Sequence, residues 1–344
     1  MLVGKVCMDQ NGGGNGYEEE SAEVSLEETA SFVKQVLELD CRRVLPILTP
    51  RFAPSCTEEL LSGLGELAAS GGRNGGMLHV QSHISESRAE IAWVADLFPS
   101  SSNYADVYAA AGLLTRKTIM AHGCFLTPDE LEVFAKARTG ISHCPASNFG
   151  LSSGILNVLD LEQYDIDVGL GSDVAGGAQT CILDAMRNAL IASKVLTMPL
   201  HAANGRAPNT HPLTVENVFY MATMGGARVL DMQNTIGSFA VGKAFDAIFV
   251  SPSCPGSPVD LFSTDTELRG VLEKYVMLGD DRNHAAVFVD GDCVYAAPYA
   301  NLQGSSSAVS AVVGSGAVGA GMGVRIATAL SYVAAFSALF LFAK

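Results

Sequence analysis

The chain is 344 residues long, 48% hydrophobic and 17% charged, a globular composition that excludes disorder as its main state. A net charge of −15 and a pI of about 4.8 argue against a nucleic-acid partner, because phosphate binding needs clustered Lys and Arg. The length suits one large barrel or two modest domains. Eight cysteines without a C-x-x-C pair fit a reducing compartment, and no apolar leader follows Met1, so a cytoplasmic location is expected.

In chain order, residues 11–16 (NGGGNG) read as a loop. Ser25 to Leu39 reads as a helix, with Ser25 and Glu28 forming a capping box. Arg43 to Pro50 is an apolar strand, and Thr57 to Ala69 a helix stopped by Gly71–Gly72. The pattern then repeats. Met77–Ser82, Thr118–Ala121, Gly140–His143 and Asp167–Gly171 read as strands, and Ala89–Leu97 and Pro128–Ala137 as helices. Helical segments follow at Ile182–Val195 and Val215–Leu230. Two strand-like runs come last, Ala244–Val250 and Ala285–Val294, the second with a turn at Asp290-Gly291.

Strands alternating with helices predict a parallel α/β arrangement. Each strand ends on a polar group: Thr49–Arg51, His83, His122, His143 and Asp173. Both (β/α) barrels and doubly wound sheets place ligands at the C-terminal ends of their strands. Pattern alone leaves the two open.

A hydrolytic metal needs imidazole or carboxylate ligands, an open position for water, and an acid/base beside it. His83, His122 and Asp173 are strand-end candidates for such a site. Glu86 lies in the loop after His83, where its side chain can swing over a bound water. His122 ends the strand between them. Any one alone reads as an ordinary hydrogen-bonding residue; together on successive strand ends they read as a site. His79 has the inward parity of His83 but lies ~13 Å deeper along the strand, so it is expected in the core. His201, His211 and His284 are expected at the surface.

The segments TPRF (Thr49–Phe52), HVQSHISE (His79–Glu86), MAHGCFL (Met120–Leu126), SHCPASN (Ser142–Asn148) and GLGSDVAGG (Gly169–Gly177) resemble the guanine deaminase family of the amidohydrolase superfamily. MATMGGARVL, IGSFAVGKAFDAIFV and LGDDRN extend the resemblance, which runs from about Val3 to Val294. It implies an incomplete (β/α)8 TIM barrel over residues 1–235 and part of a small β-sandwich over 236–300. A low-complexity linker and hydrophobic tail over 301–344 would follow. It implies a mononuclear Zn2+ site with His83 and Asp173 as ligands and His122 beside the bound water. Glu86 would shuttle protons, and Asp173 would take the water's proton as attack begins. Arg51 would hold the purine's oxo group and Phe52 its ring, so that guanine becomes xanthine and ammonia; the family commonly forms homodimers. The other zinc deaminase design, H-x-E with P-C-x-x-C, does not match His83-Ile-Ser-Glu86 or Cys144-Pro145.

The superfamily's His-x-His, which supplies two further ligands on the first barrel strand, does not occur among the seven histidines. Val3 to Met8 resembles the third barrel strand. The expectation is therefore an N-terminally truncated sequence that, as written, binds zinc poorly and lacks deaminase activity, since catalytic zinc usually keeps three or more protein ligands. The alternatives are an inactive purine-binding paralogue and a membrane-tethered pseudoenzyme. The tether would be Ile326 to Ala343, eighteen uncharged, mostly apolar residues between Arg325 and Lys344. That run just reaches across a hydrocarbon core of ~30 Å.

Overall fold

The computed structural model describes residues 1–11, 17–198, 211–264 and 267–300. The predicted linker and tail (301–344), His201 and most of the NGGGNG loop lie outside the described residues. By internal contacts the chain divides after Gly237 into two units.

The first unit opens with two short strands, β1 (Leu2–Val3) and β2 (Val6–Cys7), and helix α1 (Ala22–Glu38). Alternation then sets in. β3 (Leu45–Pro50) is followed by α2 (Glu58–Ser70), and β4 (His79–Ile84) by α3 (Arg88–Leu97) and α4 (Tyr104–Ala110). β5 (Thr118–His122) leads to α5 (Pro128–Ala137), and β6 (Gly140–His143) to α6 (Pro145–Gly150) and α7 (Val158–Glu162). β7 (Val168–Leu170) precedes α8 (Ile182–Leu196). The last helical stretch is α9 (Val215–Tyr220), a π turn (Met221–Gly225) and α10 (Gly226–Val229).

All pairings in this sheet are parallel, in the order β1-β3-β4-β5-β6-β7. β1 and β2 share one track along β3, meeting Leu45–Pro46 and Thr49–Pro50 in turn. The result is the curled half-barrel of an incomplete (β/α)8 barrel. Every residue of β6 and β7 is buried, as parallel strands covered on both faces must be. Thr49, Gln81, Ile119, Ala121 and Ser142 line one narrow cavity, so these alternate positions define the inward face. On that face Ile47 and Ile119 pack with Ala227, Val229 and Leu230. His79 is buried there and donates from Nε2 to the Leu230 carbonyl at 2.8 Å, the core role expected for it.

Several boundaries differ from expectation, each for a local reason. The first helix begins earlier, because Ser21 rather than Ser25 accepts the Val24 N–H as its cap. Ser25 is instead buried inside the helix, its hydroxyl bonded to Glu19 at 2.7 Å. β4 runs two residues further, to Ile84, and carries His83 within the strand. The segment from Val215 is continuous but changes to a π turn at Met221. α4 was not foreseen; Asn103 caps it by accepting the Asp106 N–H.

The second unit holds β8 (Ala247–Val250), helix α11 (Leu268–Leu278), β9 (His284–Val289) and β10 (Asp292–Ala296). Its sheet is antiparallel, β10-β9-β8, over Ala247, Ala286 and Phe288. The LGDDRN segment is structural here: Asn283 is fully buried and donates to the Ser251 carbonyl and the Ser257 hydroxyl. His284, expected at the surface, is half-buried, with Nε2 2.9 Å from the Tyr275 hydroxyl; His211 is exposed as expected. No helix among the described residues is long and apolar enough to cross a membrane.

Gly65 shows how closely the outer layer approaches. A Cβ there would stand 1.7 Å from the Ala111 carbonyl oxygen just after α4. In an open helix Gly→Ala gains about 1 kcal/mol; here the clash reverses the sign. Gly65→Ala is expected to lower stability by about 1–3 kcal/mol, read as a reduced urea midpoint, and a raised midpoint would contradict this packing.

Candidate active site

The C-terminal ends of β3, β4, β5 and the loop after β7 converge on one cavity of about 590 Å³. Its lining includes Arg51, Phe52, His83, Glu86, His122 and Asp173, all six residues expected there, together with Trp93 and Leu151. His83 reaches it by strand parity. His122 and Asp173 reach it by backbone conformation, with φ of +70° and +49°. By parity His122 follows the inward Ala121 and would face the helices. The left-handed turn re-aims it, a strained geometry that concentrates at functional sites.

Three side-chain distances define the centre. His83 Nε2 lies 3.9 Å from Asp173 Oδ1, His122 Nε2 lies 3.9 Å from Asp173 Oδ2, and His122 Nε2 lies 3.7 Å from Glu86 Oε2. The two imidazoles stack with centroids 5.3 Å apart. His83 Nδ1 donates to the Arg51 carbonyl at 2.5 Å. A carbonyl only accepts, so Nδ1 carries a proton, and in the neutral ring the Nε2 lone pair faces Asp173. That is the arrangement of a metal-ligating histidine, whose second nitrogen donates to a backbone carbonyl or carboxylate. A single ion about 2.0–2.2 Å from each ligand atom spans the gap between His83 and Asp173. His122 has its ligand-type atom within 4.8 Å of theirs, and its buried Nε2 has no hydrogen-bond partner among the described residues. The donor set fits a metal ion.

Glu86 is placed by the start of α3. Ser87 accepts the Glu90 N–H, while Glu90 Oε2 accepts the N–H groups of Ser87 and Glu86. The Tyr104 hydroxyl donates to the other Glu90 oxygen at 2.9 Å. Glu86 Oε1 accepts from the Ser153 hydroxyl at 3.0 Å, and Asn148 Nδ2 lies 3.2 Å from Ser153 Oγ and 3.0 Å from His122 Nδ1. The Tyr108 hydroxyl accepts from Ala53 N–H and donates to the His83 carbonyl, at 2.9 and 2.8 Å, bracing β3 against β4. Gly177 permits the Asp173 loop to close: a Cβ would stand 1.9 Å from the Ser172 carbonyl. Asn148, Ser153, Tyr108 and Trp93 were not foreseen as site residues. Only Asn148 carried a signal, as the last residue of SHCPASN.

The charges respond to burial and to one another. Burial raises the Glu86 pKa against the pull of Ser153 and His83. Burial acts upward on Asp173 too, but His83 and then His122 outweigh it and hold the carboxyl below its ordinary value. His83 is the mirror case: burial lowers its pKa, and Asp173 more than restores it. His122 falls to about 3, through burial and then the nearby His83.

The family comparisons agree with this geometry. The amidohydrolase family model matches residues 1–294. The chain belongs to the amidohydrolase family. Within that family it is 46% identical to the guanine deaminase of Rattus norvegicus over 293 residues, 84% of this chain and 62% of the relative. It is 41% identical to that of Dictyostelium discoideum over 291 residues, 85% of this chain and 61% of the relative. Two solved structures are similar: E. coli guanine deaminase (TM-score 0.75, 30% identity) and that of C. acetobutylicum with guanine in its active site (TM-score 0.74, 34% identity). Each comparison covers 86% of this chain and 65% of the other. This amidohydrolase chain thus spans about 62% of the length of the curated relatives it matches.

His143, the remaining strand-end histidine, does not join the site. It does not line the cavity, is 1% exposed, and neither ring nitrogen has a hydrogen-bond partner among the described residues. Burial lowers its pKa from 6.5 to about 3. Above 6.5 the ring is neutral in folded and unfolded chains alike. As pH falls below that value the unfolded chain binds a proton that the folded chain refuses, so stability is lost progressively towards pH 3. His143→Phe removes both unpaired nitrogens and that linkage. It is expected to stabilise by about 1 kcal/mol and to flatten the acid limb of a urea-midpoint-versus-pH curve; an unchanged slope would contradict it.

Proposed function

We propose that the chain catalyses, or supplies most of the site for, hydrolytic deamination of guanine to xanthine and ammonia at a zinc ion. The observation that carries this reading is the convergence of an arginine–aromatic pair (Arg51, Phe52), the Glu86 carboxyl group and a His–Asp pair on one cavity, in a chain 46% identical to a guanine deaminase.

His83 and Asp173 would hold the zinc, which when bound acidifies water and acts as a Lewis acid. The other steps belong to the chain's own groups. Arg51 presents a planar set of donors to the purine's oxo group, with its guanidinium carbon 5.5 Å from the Phe52 ring centroid. Phe52 offers the purine a face, and Trp93 meets Phe52 edge-on at 5.8 Å. Together they form an apolar wall suited to a flat heterocycle. Asp173, whose Oδ2 lies 3.9 Å from His122 Nε2, would take the water's proton as attack on the amino-bearing carbon begins. Glu86, with a pKa raised by burial, suits a group that must both accept a proton and deliver one to the departing ammonia.

Two substitutions separate binding from chemistry in the zinc-supplemented full chain. Trp93 is the only tryptophan and lines the cavity, so its fluorescence reports occupancy directly. Any xanthine formation by the parent, which a site with only two ligands is expected to hold low, is expected to fall about 10²–10⁴-fold in Glu86→Gln, while xanthine quenching of Trp93 stays nearly unchanged. Arg51→Ala is expected to weaken that quenching about ten- to hundredfold, the scale of a lost charged hydrogen bond. Quenching without turnover in the parent would favour the purine-binding paralogue; neither quenching nor turnover would refute both readings.

A further inference from the structure

The cavity has a polar floor and, apart from Arg51, an apolar rim. His83, Glu86, His122 and Asp173 lie buried or half-buried at the bottom, while Ala89, Trp93, Leu151 and Ala175 are exposed at the mouth. Trp93 and Leu151 are 39% and 59% exposed, two large apolar side chains held at an opening rather than in a core. Apolar surface gathered around a cavity marks a ligand contact. Three separate elements supply it. Ala89 and Trp93 lie four residues apart on one face of α3. Leu151 ends α6, and Ala175 belongs to the loop after Asp173.

The polar groups beside this rim already have partners. Glu90 accepts the N–H groups of Glu86 and Ser87 at one oxygen and the Tyr104 hydroxyl at the other. The Ser87 hydroxyl accepts the Glu90 N–H. Arg88, next to Ala89, lies over the Phe125 ring, 4.8 Å from its centroid. Arg51 is the only lysine or arginine among the described residues that line the cavity.

The shape of guanine decides which part of it reaches the rim. Its amino-bearing and oxo-bearing carbons flank one nitrogen of the six-membered ring. Holding the first at the His83–Asp173 pair and the second at Arg51 turns the fused five-membered ring away from both. Of the two nitrogens in that ring, N9 lies farther from the oxo group and hence from Arg51. A substituent on N9 therefore leaves by way of Trp93 and Leu151.

We infer that Ala89, Trp93, Leu151 and Ala175 form an apolar outer subsite, and that Trp93 makes the cavity selective for guanines alkylated at N9 over guanine nucleosides. The inference rests on the deaminase reading for the orientation of the base. An alkyl chain gains by leaving water for the indole and Leu151. A ribose in the same place brings hydroxyls to side chains that, the indole N–H apart, cannot bond them. A net charge of −15 further disfavours the phosphate of a nucleotide. The reaction keeps its kind: 9-alkylguanine and water give 9-alkylxanthine and ammonia.

The test is equilibrium dialysis of the zinc-supplemented full chain against guanine, 9-methylguanine, 9-ethylguanine, 9-butylguanine and guanosine. Affinity is expected to rise about fourfold per methylene buried, with guanosine about tenfold or more weaker than 9-butylguanine. Trp93→Ala is expected to level the alkyl series to within about twofold, whereas Trp93→Phe keeps most of its slope. General damage would instead weaken every ligand alike and leave the slope in place. A flat series in the parent, guanosine as tight as 9-butylguanine, or an undiminished slope in Trp93→Ala would overturn the inference. If the series and variants behave as expected yet no xanthine or alkylxanthine forms, the deaminase reading fails and the subsite stands. If guanine turns over while the alkyl series is flat, the subsite fails and the deaminase reading stands.

Discussion

The site depends on the hydrogen bond from His83 Nδ1 to the Arg51 carbonyl. It joins the end of β4 to the residue just beyond β3, and so ties the His83 side chain to the segment that carries Arg51 and Phe52. It also selects the His83 tautomer with its lone pair towards Asp173. The Tyr108 hydroxyl reinforces the join from beneath by bridging Ala53 N–H and the His83 carbonyl. The aromatic wall, the carboxylate partner and the cavity mouth are all positioned relative to that pair of strand ends.

Around this anchor the fold sorts chemically similar groups into different roles by their surroundings. Two histidines stack at 5.3 Å, yet one meets a carbonyl and the other an amide. Two carboxylates share the cavity, yet burial raises one pKa while two imidazoles lower the other. Groups whose environments push their proton affinities apart are the usual basis of acid and base assignments. The strained left-handed residues, His122 and Asp173, are the two whose side chains strand parity alone would not deliver. Close packing holds them, as the glycine-dependent closure after Asp173 shows.

Much of this was legible in the sequence because parallel strands declare themselves as short apolar runs. Gly140–His143 and Pro128–Ala137 have the bounds the pattern implied, the latter because Thr127, Pro128 and Glu130 mark its start. Ser25 misled because Ser21, four residues earlier, has the same capping chemistry. α4, α6, α7 and α11 were missed: the first three are only seven, six and five residues long, and the last follows Glu267 without a side-chain cap. All six expected site residues line the cavity: polar residues at strand ends and in the loop after them are visible in one dimension, and the resemblance of the TPRF segment supplied Phe52. Asn148, Ser153 and Tyr108 were not, because their roles rest on contacts between elements far apart in sequence. Nothing in a single sequence reports that a buried amide lies 3.0 Å from an imidazole.

The central claim is that the chain's two cavity histidines differ in kind: His83 holds the cation and His122 does not. Equilibrium dialysis of zinc against the full chain, His83→Ala and His122→Ala tests it most directly. The account predicts that His83→Ala weakens zinc binding on the order of tenfold or more, the cost of losing one of two ligands. His122→Ala would change it by less than about threefold, since His122 makes no bond to the cation. Equal losses in the two variants, or a larger loss with His122→Ala, would contradict the account.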